Sequence, residues 1–191
     1  MDLKIAGRRA LVSGATAGIG FEIARRLLQE GAQVVVTGRE AGKLDDAVAK
    51  LGAGPGGPAI GVLADVATAE GVARVSASHP DVDILVNNLG IYESRPFAEI
   101  ADEHWQRHFD VNVMSGVRLS RHYFPRMLAR KSGRVVFVSS ETGVAVDPAM
   151  IHYAMTKAAQ LAVARGMAGL TRGTAVTVNS GSGHRTGTDI R

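Results

Sequence analysis

Short apolar runs alternate along the chain with longer stretches whose apolar residues recur at helical spacing. The short runs are rich in valine and isoleucine, which favours strands, and they cover residues 9–13, 33–37, 59–65, 82–87, 134–139 and 175–179. Five helical stretches separate these six strands. Because the runs are almost continuously apolar, we expect each strand to be covered on both faces. The pattern predicts an α/β protein with a doubly wound parallel sheet between two layers of helices.

The chain has 191 residues, 46% of them hydrophobic, which is enough for one sizeable core. We therefore expect a single domain over residues 1–180, followed by an atypical tail over residues 181–191. One long helical stretch is predicted over residues 103–130. Between the second helix and the third strand, residues 51–58 read Leu-Gly-Ala-Gly-Pro-Gly-Gly-Pro, a composition that is too rich in glycine and proline for a helix or strand and predicts a mobile, irregular surface loop.

The composition excludes several kinds of chemistry and partner. No cysteine is present, so disulfides, thiolate nucleophiles and thiolate metal sites are excluded. The formal charge is +4, but the arginines are scattered and no basic-aromatic stripe occurs, which favours a solvated surface over a nucleic-acid partner. Charges interrupt the N-terminus, so we expect no signal peptide, no membrane helix and a cytoplasmic location.

A glycine-rich segment follows the first strand and leads directly into an amphipathic helix. Glycine lets the backbone approach a ligand closely, and a helix N-terminus offers N–H groups and a favourable dipole to a pyrophosphate. The segment is therefore a candidate dinucleotide site, although a tight turn that only packs helix on strand would look similar. The candidate cofactor residues in it are Ser13, Gly14, Thr16, Gly18, Ile19 and Gly20.

The end of the second strand bears on the choice of cofactor. An NAD-binding protein places a carboxylate there to hold the ribose 2′-hydroxyl, but this chain has Gly38 followed by Arg39. A guanidinium can clamp a 2′-phosphate, so Arg39 favours NADP(H) over NAD(H). The adjacent Glu40 weakens that preference, and a solvent-exposed loop arginine is the alternative.

Tyr153 and Lys157 stand four residues apart on one predicted helix, so their side chains share a face. Hydride transfer to or from a carbonyl carbon needs a group that exchanges a proton with the oxygen. A neighbouring ammonium favours the phenolate and lowers the pKa of a tyrosine. The pair therefore predicts a general acid/base, with a half-buried tyrosine and a solvated lysine as the alternative.

Ser140 ends the fifth strand, at the edge of the sheet where ligands approach open α/β folds. Its hydroxyl is a candidate to orient the substrate oxygen toward Tyr153, and the adjacent Ser139 is expected to point to the other side of the strand.

His104 and His108 stand at the spacing of two metal ligands on a helix. No His-Glu-x-x-His motif accompanies them and no third ligand is evident in sequence, so we expect a solvated helix face and no metal. His152 is a candidate for the substrate mouth, although its place beside Tyr153 turns it about 100° away around the helix.

Taken together, these motifs resemble the short-chain dehydrogenase/reductase family over residues 5 to 180. The resemblance rests on the glycine loop, Asp65-Val66, Asn87-Asn88-Leu89-Gly90 and Tyr153-Ala-Met-Thr-Lys157, in that order. It implies a Rossmann-like sheet with strand order 3-2-1-4-5-6.

The same resemblance assigns roles to further residues. It implies that Asp65 and Val66 flank the adenine, that Asn87 and Gly90 support the nicotinamide-ribose side, and that Tyr153 and Lys157 also contact the cofactor. Asn112 matches the family asparagine that holds a water in a proton relay through the lysine. Leu89 stands where alanine is usual and is expected to narrow the pocket.

The resemblance ends after residue 180. Gly183-His184 stands where the family has Pro-Gly, Thr188 is the candidate counterpart of a cofactor-binding threonine, and the substrate lid and seventh strand are missing. We expect a truncated or frame-altered chain whose sixth strand is a sheet edge. A homodimer or tetramer through the long helices is also expected.

The motifs predict an oxidoreductase that transfers a hydride between NADP(H) and a small carbonyl or alcohol substrate. The alternative is a non-catalytic NADP(H)-binding or interaction protein that has lost its substrate lid.

Overall fold

The structure, a computed structural model, describes residues 3–183. Six parallel strands form one sheet in the order β5-β2-β1-β6-β7-β8, which confirms the predicted order 3-2-1-4-5-6 of the six sheet strands. The strands are β1 (Arg9–Val12), β2 (Gln33–Gly38), β5 (Ile60–Leu63), β6 (Ile84–Asn87), β7 (Ser132–Ser140) and β8 (Ala175–Gly183). The pair β3 (Ala53–Gly54) and β4 (Gly57–Pro58) forms a separate antiparallel ladder.

Helices cover both faces of the central strands, as the apolar runs predict, but the prediction is wrong for the edge strand β5, where Ile60 and Leu63 are 43% and 41% exposed. They are α1 (Gly18–Gln29), α2 (Ala41–Leu51), α3 (Ala69–Ser78), α4 (Asp102–His108), α5 (Ser115–Ala129) and α6 (Ile151–Gly169).

Alternate residues of the central strands supply two cores. Leu11, Val35 and Leu85 belong to the core on one face, which also contains residues of α3 and α5. Their neighbours Val12 and Val34 belong to the core on the other face, together with residues of α1 and α2. Burial on both sides is why these strands lack the polar alternation of a one-sided sheet.

The predicted irregular loop over residues 51–58 is wrong in part, because β3 and β4 form a short ladder there. A Cβ on Gly54 would collide with the carbonyl oxygen of Leu28, and one on Gly56 would collide with that of Gly31. The glycine content of this segment therefore reflects close packing against the end of α1.

The single helix predicted over residues 103–130 is also corrected. Its regular hydrogen bonding is interrupted by a π-helical turn, Phe109–Met114, between α4 and α5. Such turns change the direction in which the side chains project and occur frequently at functional sites. The candidate residue Asn112 lies inside this turn.

The last strand is longer than its apolar run indicates. The run predicts residues 175–179, but pairing with β7 continues to Ser140 opposite Gly183. Within the described residues β8 pairs with β7 alone and so forms one edge of the sheet, as expected.

Candidate active site

A groove runs along the carboxyl ends of the sheet strands. It consists of two adjoining cavities of about 400 and 240 Å³, which share Gly14, Ala17 and residues 89–91. Arg39 and Asp65 line the first cavity, and the Tyr153 helix lines the second. Such a groove matches the place where open parallel sheets bind ligands.

The glycine loop forms the floor of this groove. Gly14 (φ +63°) and Gly18 (φ +58°) have left-handed backbones that other residues adopt only with strain. A Cβ on Gly20 would collide with the side-chain amide of Asn88 and lie 2.8 Å from the carbonyl oxygen of Gly14. Because no side chain caps α1 at Ala17, the first N–H groups of this helix remain available to an anion. The loop therefore fits a pyrophosphate.

Ser13 lies beneath the groove and not at its surface. It is 1% exposed, and its hydroxyl accepts hydrogen bonds from the backbone N–H groups of Asn88 (3.0 Å) and Leu89 (3.1 Å). The Asn88 side chain in turn donates to the carbonyl oxygens of Ser13 and Gly14, both at 2.9 Å. The two residues join the glycine loop to the segment after β6, so Ser13 is better described as a positioning residue. The contribution of Asn88 was not predicted from sequence.

Thr16 and Arg39 both line the first cavity. A Cβ on Gly38 would lie 2.6 Å from Cγ2 of Thr16, so a side chain at position 38 would require the Thr16 side chain to move. Glu40 is paired with Lys43 at 2.9 Å, and this hydrogen bond holds the pKa of the Glu40 carboxyl below its usual range. Lys43, a further lining residue missed from sequence, places a second cation near Arg39.

The other predicted cofactor residues divide into two groups. Asp65, Val66 and Gly90 line the first cavity, and Asp65 Oδ1 accepts a hydrogen bond from the backbone N–H of Ala67 at 3.0 Å. Asn87 instead turns toward α5, where its amide donates to Ser120 Oγ at 3.1 Å and the residue is 3% exposed. Its predicted contact with the nicotinamide-ribose side is therefore not evident in this arrangement.

Leu89 and Ile19 line the second cavity of the groove. Leu89 also lines the first cavity, so it lies where the two cavities meet. Ile19 is 54% exposed although it is apolar, which leaves its side chain available to a bound molecule.

Tyr153 and Lys157 share one face of α6 and line the second cavity together. The Lys157 ammonium lies 5.5 Å from the centroid of the Tyr153 ring. It donates to the carbonyl oxygen of Val138 at 2.8 Å and to Gln160 Oε1 at 3.2 Å. Because Lys157 is only 4% exposed, burial lowers the pKa of its ammonium from 10.5 to about 8.

The two serines at the end of β7 both line the second cavity but make different hydrogen bonds. Ser139 is buried, and its hydroxyl donates to the carbonyl oxygen of Lys157 at 3.2 Å. Ser140 Oγ accepts from the backbone N–H and the hydroxyl of Thr142, at 3.3 and 2.9 Å, and it lines the cavity beside Tyr153. In both hydrogen bonds the Ser140 oxygen is the acceptor, so its hydroxyl proton is available to be donated to another group.

Asn112 holds the segment that follows β6. Its Oδ1 accepts from the backbone N–H of Ile91 at 2.7 Å, and its amide donates to the Ile91 carbonyl oxygen and to Thr156 Oγ1, both at 2.9 Å. Its own backbone carbonyl accepts from Gln160 Nε2 at 2.6 Å. Gln160 thereby connects Asn112 to Lys157, a link that sequence analysis missed although its (i, i+3) spacing from Lys157 indicates a shared face.

The prediction that His104 and His108 lie on a solvated helix face is wrong for His108. His108 and His152 are 2% and 0% exposed, and their ring centroids lie 4.2 Å apart. Since α4 packs against α6, the histidine before Tyr153 turns inward and does not line the groove. Glu93 lies beside both imidazoles, so a third polar group is present after all.

A wider depression of about 550 Å³ lies at the opposite, amino edge of the sheet. Its charged side chains are already paired: Asp81 lies 3.7 Å from Arg126 and 3.5 Å from Arg130. Since ligands of open parallel sheets bind at the carboxyl edge, the groove is the better candidate site, although each of its two cavities is smaller than this depression.

Two predictions concern residues beyond this description. His184 and Thr188 lie outside residues 3–183, so the expected counterparts of the Pro-Gly turn and the cofactor threonine stay predictions. Among the described helices, none has the length and apolar content needed to cross a membrane.

The fold and the groove place this protein among nicotinamide-dependent dehydrogenases and reductases. Comparison with known proteins agrees with that class. The chain belongs to the short-chain dehydrogenase/reductase family, since residues 8–191 match the family described as short chain dehydrogenase.

Relatives and solved structures extend this finding. The chain is 46% identical over 183 residues to the uncharacterized oxidoreductase YvrD of Bacillus subtilis, covering 94% of this chain and 69% of that protein. It is 36% identical to the human dehydrogenase/reductase SDR family member 4, covering 86% of this chain and 60% of the relative. The structure resembles that of L-sorbose reductase from Gluconobacter frateurii complexed with NADPH and L-sorbose. That match has a TM-score of 0.87 at 35% identity, over 94% of this chain and 70% of the other.

Proposed function

We propose that this protein is an NADP(H)-dependent oxidoreductase that interconverts a small carbonyl compound and the corresponding alcohol. The observation that carries the proposal is that Tyr153, Lys157 and Ser140 line the second cavity of the groove. This cavity adjoins the first cavity, which the glycine loop and Arg39 line. NADPH, when bound, supplies the hydride that adds to the carbonyl carbon.

The side chains of the protein handle the proton. In reduction, Tyr153 donates its phenolic proton to the carbonyl oxygen as the C–O double bond becomes a single bond. Ser140 donates a hydrogen bond to the same oxygen and orients it, which stabilises the charge that develops there. In oxidation the phenolate accepts the proton of the alcohol.

Lys157 acts electrostatically on Tyr153 and contacts the nucleotide. Its ammonium, 5.5 Å from the Tyr153 ring, favours the phenolate and so eases proton release. Gln160 and the carbonyl of Val138 hold this ammonium in place, and Asn112 fixes Gln160 through its backbone carbonyl. These contacts hold the Lys157 ammonium beside Tyr153, so that it can return a proton to the phenolate and regain one from solvent.

Arg39 and Lys43 support NADP(H) as the preferred cofactor. Both line the cavity at the end of β2, and the neighbouring negative charge of Glu40 is engaged by Lys43. A 2′-phosphate would meet a guanidinium and an ammonium there. The structural resemblance to a reductase complexed with NADPH is in keeping with this preference.

The test is NADPH binding followed by turnover against a panel of ketones, aldehydes and sugars. Tyr153→Phe should bind NADPH within about threefold of the unaltered chain but reduce carbonyls at least about 100-fold more slowly. Ser140→Ala should slow turnover strongly, whereas Ser139→Ala, the matched control, should have a much smaller effect. NADPH binding without reduction of any carbonyl would instead establish a non-catalytic NADP(H)-binding protein.

Cofactor choice is tested separately. Arg39→Ala should raise the Kd for NADPH by about tenfold or more while changing that for NADH by less than about threefold. Arg121→Ala, an exposed arginine of α5 remote from the groove, is the control. If Arg39→Ala weakened the binding of NADPH and NADH equally, Arg39 would have no role in the choice between the two cofactors.

A further inference from the structure

Three polar side chains meet behind the Tyr153 helix, outside the groove. Glu93 comes from the segment after β6, His108 from the end of α4, and His152 from the first turn of α6. One ligand atom from each lies within 4.8 Å of the others. We call this set the Glu93–His108–His152 cluster.

The two imidazoles of the cluster are buried without hydrogen bonds at the nitrogens that face it. Nε2 of His108 and both ring nitrogens of His152 have no hydrogen-bond partner among the described residues. His152 Nε2 and Glu93 Oε2 are 3.6 Å apart, too far for a hydrogen bond. Buried imidazole nitrogens are normally satisfied, so this arrangement indicates a missing ligand.

The hydrogen bonding of the cluster suits a cation. His108 Nδ1 lies 2.8 Å from the carbonyl oxygen of His104 and donates to it, which leaves a lone pair on Nε2. A backbone carbonyl that holds the second nitrogen is the usual support of a metal-binding histidine.

The carboxylate of the cluster is held in place by an arginine. Arg95 donates to Glu93 Oε1 at 2.6 Å. The second oxygen, Oε2, is the one that faces His152. Arg95 places a positive charge nearby, which weakens a cation site but leaves that oxygen available.

We propose that Glu93, His108 and His152 bind a divalent transition-metal ion, with Zn²⁺ the best match. Two imidazole nitrogens and one carboxylate oxygen form a donor set typical of four-coordinate zinc with one open position. Bonds of about 2.1 Å would draw the three atoms to about 3.4 Å apart, which requires small side-chain rotations. Glu93 is 31% exposed, so solvent reaches the open position.

The ion would connect three elements around the proposed catalytic tyrosine. His152 precedes Tyr153, and Tyr92, beside Glu93, packs its ring 6.3 Å from the Tyr153 ring. Metal binding would therefore fix the wall of the groove and position Tyr153 without contacting the substrate. The site does not depend on the proposed function, because metal binding can be measured without turnover.

The chain offers a built-in optical probe. Trp105 is its single tryptophan, and the indole lies edge-on to His152 with centroids 5.9 Å apart. We would titrate Zn²⁺ into untagged, chelator-treated full-length protein by calorimetry. Parallel titrations would follow Co²⁺ by its visible absorption and by Trp105 emission. The expected result is one ion per chain and a change in Trp105 emission that saturates at the same equivalence point.

His108→Gln and Glu93→Gln should each weaken Zn²⁺ binding by at least about tenfold. The control is His122→Gln on α5, which should change Zn²⁺ affinity by less than about twofold. Far-UV circular dichroism checks that each variant folds, and Glu93→Gln keeps the test decisive if His108→Gln does not fold. Absence of stoichiometric binding, or equal affinity in Glu93→Gln and the unaltered chain, would overturn the proposal.

Discussion

The buried ammonium of Lys157 gives this protein a measurable dependence of stability on pH. Lys157 is 4% exposed and burial lowers its pKa from 10.5 to about 8, which corresponds to roughly 3 kcal/mol against the charged form. The folded chain thus tolerates an unfavourable charge at neutral pH. The proposed chemistry needs that charge beside Tyr153.

The direction of this pH dependence follows from the numbers of protons that the folded and the unfolded chain bind. Below about pH 8 both the folded and the unfolded chain hold the proton, and the full penalty is present. Between about pH 8 and 10.5 the unfolded chain binds more protons than the folded chain, so the free energy of unfolding rises with pH. From about pH 7 to about pH 9.5 the gain due to Lys157 alone is about 2 kcal/mol.

Lys157→Met removes this titration while keeping an unbranched side chain of similar length. The comparison is best made in a Tyr153→Phe background, so that the neighbouring phenol does not titrate. We would measure urea unfolding of both chains at several pH values and plot the difference in their free energies of unfolding. Between about pH 7 and about pH 9.5 the free energy of unfolding should rise by about 2 kcal/mol more in the chain with Lys157 than in the chain with methionine. All other titrating groups are shared by the two chains, so their contributions cancel. A flat difference would refute the claim that burial depresses this pKa.

The remaining predictions concern packing around the groove. Gly20→Ala should raise the Kd for NADPH at least about tenfold, because the added Cβ collides with Asn88, and a fluorescence titration measures this. The control Gly166→Ala meets no atom within 4 Å on the exposed side of α6, so it should leave the Kd unchanged and stabilise the chain by about 0.5–1 kcal/mol. Asn112→Ala should cost about 2–4 kcal/mol in thermal or urea unfolding, because both backbone groups of Ile91 lose their partner. An unfolding free energy within about 0.5 kcal/mol of the unaltered chain would contradict that role.

Much of the architecture followed from local pattern. The six apolar runs predicted the sheet strands, because hydrophobic periodicity depends on neighbouring residues alone. Burial on both faces holds for the central strands but not for the edge strand β5, which pairs with β2 alone in the described part of the chain. The pairing of Tyr153 with Lys157 was equally local, since (i, i+4) positions share a helix face. The glycine loop was predicted because glycines between a strand and a helix N-terminus let the backbone approach a pyrophosphate. The left-handed backbones of Gly14 and Gly18 were seen only in the structure.

Irregular segments were predicted less well. The π-helical turn around Asn112 has no signature in hydrophobic spacing, because the Asn112 side chain is held by Ile91 and Thr156, which belong to other elements. The loop composition of residues 51–58 concealed a ladder, because those glycines serve close packing against α1 and not only conformational freedom.

The sequence by itself therefore determined the sheet, the family and the reactive pair on α6. Only the tertiary structure decided that Ser13 positions a loop, that Gln160 connects Asn112 to Lys157, and that His108 meets His152 and Glu93 in the interior. The physical reason is distance along the chain. These contacts join residues from different elements, and their partners are set by how α4, α6 and the segment after β6 pack together.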